Sequence, residues 1–70
     1  MKIGDTYIHT ATNTRLRVEE IRETPIGATV YFKAEGNGMY GYAKDGDRYP
    51  FTVKFVEDQL KKDNGSFKRG

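Results

Sequence analysis

The sequence contains no cysteine and no tryptophan, and its only histidine is His9. Without cysteine no disulfide framework can form, and one imidazole cannot make a Cys/His metal site. The single serine, Ser66, lies near the end of the chain. No apolar stretch approaches the roughly 18 residues that a membrane span needs. The opening Met1-Lys2-Ile3-Gly4-Asp5 has no apolar signal region, so a soluble, cytoplasmic protein is expected.

Neither sign of charge dominates. Residues 1 to 53 carry seven bases and seven acids, while from Lys54 onward Lys54, Lys61, Lys62, Lys68 and Arg69 face Glu57, Asp58 and Asp63, giving the net +2. The result is a neutral body with a mildly basic end, weaker than the clustered basic face of phosphate-tracking proteins. Seventy residues make one domain. At that size a core rarely supplies more than about 3 to 5 kcal/mol of net stability.

What the chain does have is alternation. In Ala28-Thr29-Val30-Tyr31-Phe32-Lys33-Ala34-Glu35 the even positions are apolar, which is the period of a half-buried strand with Val30 and Phe32 inward. Arg48 to Phe55 places Tyr49, Phe51, Val53 and Phe55 on one side, and Pro50 marks an edge strand or a position facing away from its neighbour. Arg15-Leu16-Arg17-Val18-Glu19-Glu20-Ile21 starts with Leu16 and Val18 inward, and a bulge near Glu19-Glu20 would bring Ile21 back into phase. Ile3 to Thr10 and Tyr40 to Lys44 complete a set of five short strands.

Turn signals separate them at Thr12-Asn13-Thr14, Thr24-Pro25-Ile26-Gly27, Gly36-Asn37-Gly38 and Asp45-Gly46-Asp47. With no long crossover helix, five such strands predict an antiparallel meander closing into a small barrel. After Phe55, Val56 and Leu60 lie four apart, with Glu57 and Asp58 before Lys61-Lys62, an order that suits one or two helical turns. Asn64-Gly65 then stops the helix. The domain is expected to span residues 1–63, with residues 64–70 a flexible tail.

In this layout Gly4-Asp5-Thr6-Tyr7-Ile8-His9, Arg15-Leu16-Arg17-Val18 with Ile21, Val30-Tyr31-Phe32, and Pro50-Phe51 with Phe55 and Glu57 form a recurring pattern. On those residues the chain resembles the SH3-like small barrels found as stand-alone proteins of unknown function in bacteria and their phages. The resemblance implies an all-β fold, a five-stranded antiparallel SH3-like barrel with a short C-terminal helical turn. It also implies an accessory or host-directed role.

The motifs that invite a chemical reading fail on context. Gly36-Asn37-Gly38-Met39-Tyr40-Gly41 spells G-x-G-x-x-G, but Tyr42 to Asp47 reads as strand and turn where a dinucleotide site needs a helix. A kinase-type glycine loop would need a second lobe. His9 has no cysteine to activate and only Ser66 among serines, so it is read as structural or surface. Asp45-Gly46-Asp47 offers two carboxylates, short of the about 6 to 8 oxygen ligands calcium prefers. No enzyme activity, cofactor or metal is therefore expected.

Recognition is a different matter, because five tyrosines are present. Tyr31 is out of phase with Val30 and Phe32 and should project outward beside Lys33, while Tyr40 and Tyr42 flank Gly41. Tyr7, Tyr42 and Tyr49 also suit a small core with hydroxyls at its rim. The first expectation is a non-catalytic module making protein contacts through Tyr31, Lys33, Tyr40 and Tyr42. The alternative is a nucleic-acid-binding barrel using the same tyrosines with Arg15, Arg17 and the basic end. A third is self-association through an uncovered edge strand.

Overall fold

In a computed structural model of the chain, residues 1–35 and 48–70 are described. The elements run β1 (Thr6–His9), β2 (Thr14–Thr24), β3 (Gly27–Glu35), β4 (Arg48–Thr52), α1 (Val53–Leu60) and β5 (Phe67–Arg69). The strands form one antiparallel sheet in the order β4-β3-β2-β1-β5. Among the described residues the fold is thus mostly β, with one short helix. The strand expected at Tyr40 to Lys44 and the glycine-rich stretch Gly36 to Gly41 lie outside the described residues.

The alternation of β2 and β3 is realised as read. Leu16, Val18, Val30, Phe32 and Ala34 are buried, and the two strands pair from Arg15↔Glu35 to Thr24↔Gly27. The register shifts between Val18 and Glu20, so the expected bulge is present, and it sets Ile21 opposite buried Val30. The hairpin closes in two residues, Pro25 and Ile26. Gly27 at φ 110 takes the backbone conformation that a side chain resists, and Thr24 Oγ1 donates to its carbonyl at 2.9 Å.

Three expectations need correction. Among the described residues the sheet is not closed into a barrel: β4 and β5 are its outermost strands, and no ladder joins them. The chain passes straight from β4 into α1 and, six residues after the helix, enters β5, which is only three residues long, so these strands meet through side chains, with the Phe51 and Phe67 rings 5.0 Å apart. Second, the strand proposed over residues 48–55 ends at Thr52, whose Oγ1 accepts the Phe55 N–H at 3.2 Å and caps α1. Val53 and Phe55 are therefore helical. Val53, Val56 and Leu60 form the apolar stripe that meets the core, while Glu57 and Asp58 fall late in α1, so the helix dipole does not explain their placement.

The third correction concerns the supposed tail. Residues 67–69 form β5, pairing with β1 at Tyr7↔Arg69, Ile8↔Lys68 and His9↔Phe67, and the Phe67 side chain is buried against Phe32, Phe51 and Phe55. Burial of that ring supplies what the short strand lacks in length. The core is then Tyr7, Leu16, Val18, Val30, Phe32, Ala34, Val56 and Phe67, with Tyr49, Phe51, Val53 and Leu60 partly buried around it.

Candidate functional site

Because side chains alternate across a sheet, burying Leu16, Phe32 and Phe67 on one face commits the intervening residues to the other. The cross-strand register arranges that outer face in rows. One row is Lys68, Ile8, Arg15 and Glu35; the next is Thr6, Arg17, Lys33 and Arg48; a third, beyond the bulge, is Glu20, Tyr31 and Pro50. Among the described residues, Arg15, Arg17, Lys33 and Tyr31 are thus brought onto one surface, as the sequence predicted. Tyr40 and Tyr42 lie outside the described residues.

Three of the arginines on this surface, Arg17, Arg22 and Arg48, are held in ion pairs. Arg17 Nη2 donates to Glu35 Oε2 at 2.8 Å. Arg48 reaches Glu20 Oε1 at 2.9 Å and Glu19 Oε1 at 3.3 Å, and Arg22 Nε donates to Glu20 Oε2 at 2.8 Å. Exposed pairs of this kind contribute little stability singly. Their effect is positional, because they fix where two guanidiniums lie. Arg22 and Arg48 sit 5.4 and 5.2 Å from the centre of the Tyr31 ring, within cation–π range.

Glu20 holds this cluster together. Hydrogen bonds from Arg22 and then Arg48 keep its carboxyl below the usual carboxylate range, and in return the bond to Glu20 raises Arg22. Sequence reasoning did not pick out Glu20, Arg22 or Arg48. Arg48 was legible, since Tyr49 inward implies Arg48 outward, but Glu20 and Arg22 reach the Tyr31 side only through the bulge.

His9 is not part of this face. Its side chain is buried, its Nδ1 lies 3.0 Å from Thr12 Oγ1, that hydroxyl lies 2.8 Å from Thr14 Oγ1, and its ring meets Phe67 edge-on at 5.4 Å. Hydroxyls and an aromatic ring are among its partners, which suits a structural role in closing the β1–β2 turn. Among the described residues no group of three or more His, Cys, Asp or Glu is placed to hold a metal ion, and no helix is long and apolar enough to cross a membrane.

Burial pushes the His9 imidazole below its ordinary value of 6.5. The unfolded chain therefore takes up a proton near that value that the folded chain refuses, so the stability contribution is present above pH 6.5 and is lost as pH falls toward the folded value. Urea midpoints are expected to be lower at pH 5.5 than at pH 7.5, with the difference much reduced in His9→Gln. Equal midpoints in the native protein would contradict the buried, neutral imidazole.

No family model matches the chain, and neither a curated protein nor a solved structure matches it.

Proposed function

We propose that the protein is a non-catalytic binding module that contacts a protein partner through the outer face of its sheet, centred on Tyr31 with Lys33, Arg15 and Arg17. The supporting observation is the Tyr31 cluster: an aromatic ring with two guanidiniums held over it by one carboxylate. Tyrosine and arginine are the side chains most enriched where binding energy concentrates, and groups fixed before contact lose little freedom on binding. The SH3-like reading belongs to this proposal as a curled sheet whose outermost strands approach through side chains, without a closing ladder among the described residues. The curl that brings Phe51 of β4 against Phe67 of β5 is its support.

Both outermost strands of the sheet, among the described residues, carry features that discourage strand addition. β4 contains Pro50, and β5 is three residues long with Lys68 and Arg69. That favours the face over an edge as the contact and weighs against self-pairing. Nucleic acid is the second reading, favoured by the exposed Arg15, Lys33 and Lys68, but the Tyr31 ring that would stack a base already carries Arg22 and Arg48.

The test is affinity capture from a cell lysate with and without nuclease, using the native chain and Tyr31→Ala. One dominant protein that survives nuclease and is lost with Tyr31→Ala is the expected result. Capture that disappears on nuclease digestion would replace the protein reading with the nucleic-acid one. Capture unaffected by Tyr31→Ala would move the contact off this face.

A further inference from the structure

Three cations stand side by side in one register row: Arg17 of β2 faces Lys33 of β3, and Lys33 faces Arg48 of β4. Like charges directly opposite each other on neighbouring strands repel and destabilise the sheet. The outer two are compensated, Arg17 by Glu35 and Arg48 by Glu19 and Glu20. Lys33 is exposed and, among the described residues, forms no ion pair. An acid at position 33 would turn the same row into an alternating ladder. The row's uncompensated charge thus stands at its centre, flanked by two like charges whose acids lie in the neighbouring rows and at the bulge.

We propose that this row seats an acidic helix of the protein partner, lying across the strands with a carboxylate on Lys33 between the two guanidiniums; this rests on the outer-face reading above. Charge complementarity selects the acid. Spacing selects the helix: neighbouring strands lie about 4.8 Å apart, close to the about 5 to 6 Å between side chains at i and i+4 on a helix surface. Alternate side chains of an extended segment repeat at about 6.6 to 6.8 Å, a poorer match. Carboxylates at i, i+4 and i+8 of one helix would reach all three strands, the central one on Lys33 and the outer two sharing Arg17 and Arg48 with Glu35, Glu19 and Glu20.

The inference is tested on the full chain by fluorescence anisotropy at low salt with three labelled probes: a helical peptide with Glu at i, i+4 and i+8, a peptide of the same composition broken by a central proline in place of its terminal one, and an oligodeoxythymidylate of equal charge. The helical peptide is expected to bind at least about tenfold more tightly than the other two, and Lys33→Glu to abolish its binding. Melting of Lys33→Glu should show the complementary gain, a Tm raised by about 2 to 6 °C as the repulsive row becomes attractive. That rise also establishes that the variant is folded.

No binding of the helical peptide, or equal binding of the two peptides, would overturn the acidic-helix seat. So would binding that survives Lys33→Glu, or a Tm that falls in that variant. None of these results touches the capture experiment with Tyr31→Ala, so the outer-face reading can stand while this inference fails. Tighter binding of the oligonucleotide would overturn both.

Discussion

Phe67→Ala is expected to leave the chain largely unfolded at 25 °C. The ring is 2% exposed and packs at centroid distances of 5.4 Å from His9, 5.9 Å from Phe32, 5.0 Å from Phe51 and 6.2 Å from Phe55. Truncating a buried phenylalanine costs about 3 to 5 kcal/mol, the same size as the whole net stability of about 3 to 5 kcal/mol open to a chain this short. Phe55→Ala is the proper comparison, since Phe55 belongs to the same ring cluster but is 41% exposed. Its loss should cost about 1 to 2 kcal/mol and leave a folded protein. Urea titration followed by tyrosine emission reads both, because no tryptophan competes. A Phe67→Ala midpoint close to that of Phe55→Ala would mean that β5 does not close the core.

That dependence on Phe67 bears on what could be read in the sequence. The strands with long alternating runs were legible, and so was the bulge, because Ile21 falls out of phase with Val18 by one residue and only an extra residue repairs it. β5 was not legible. Ser66-Phe67-Lys68-Arg69-Gly70 holds one apolar residue and has no period, so nothing local marks a strand. It is fixed by rings contributed from β1, β3, β4 and α1. The start of α1 was ambiguous for another reason. Phe51, Val53 and Phe55 satisfy a period of two, Val53, Val56 and Leu60 satisfy a helical one, and the two patterns share residue 53. Thr52 as a cap resolves the overlap.

The outer face was half legible on the same grounds. Alternation alone placed Tyr31, Lys33, Arg15 and Arg17 outside, which needed no knowledge of partners. Grouping Arg22 and Arg48 over Tyr31 required the cross-strand register, and that register passes through the bulge. A strand's own sequence states which way a residue points; which residue it meets is decided by the neighbouring strand. The candidate site is mainly of the second kind, since each of its ion pairs, the one between Arg22 and Glu20 excepted, joins two strands.

Gly65→Ala is expected to be nearly as damaging as Phe67→Ala, for a different reason. A Cβ at Gly65 would fall 2.1 Å from the carbonyl oxygen of Gln59 and 2.9 Å from its carbonyl carbon, backbone atoms of α1 that no side-chain rotation can move aside. Restoring ordinary contact requires the 65–66 backbone to move by more than an ångström away from the helix. That backbone is stitched on both sides: Thr10 Oγ1 donates to the Gly65 carbonyl at 2.8 Å, the Thr10 N–H to the Ser66 carbonyl at 2.9 Å, and the Ser66 N–H to Gln59 Oε1 at 2.9 Å. Overpacking of this kind costs about 1 to 3 kcal/mol, and each hydrogen bond lost adds about 1 kcal/mol. Phe67 lies two residues on and would be drawn out of the core by the same shift. Thr10→Ala removes one of the stitches without the clash, so it should cost about 1 kcal/mol and remain folded. Urea midpoints and amide dispersion in NMR spectra separate the cases, and a Gly65→Ala protein within about 1 kcal/mol of Thr10→Ala would show that α1 and the connection leading into β5 do not approach this closely.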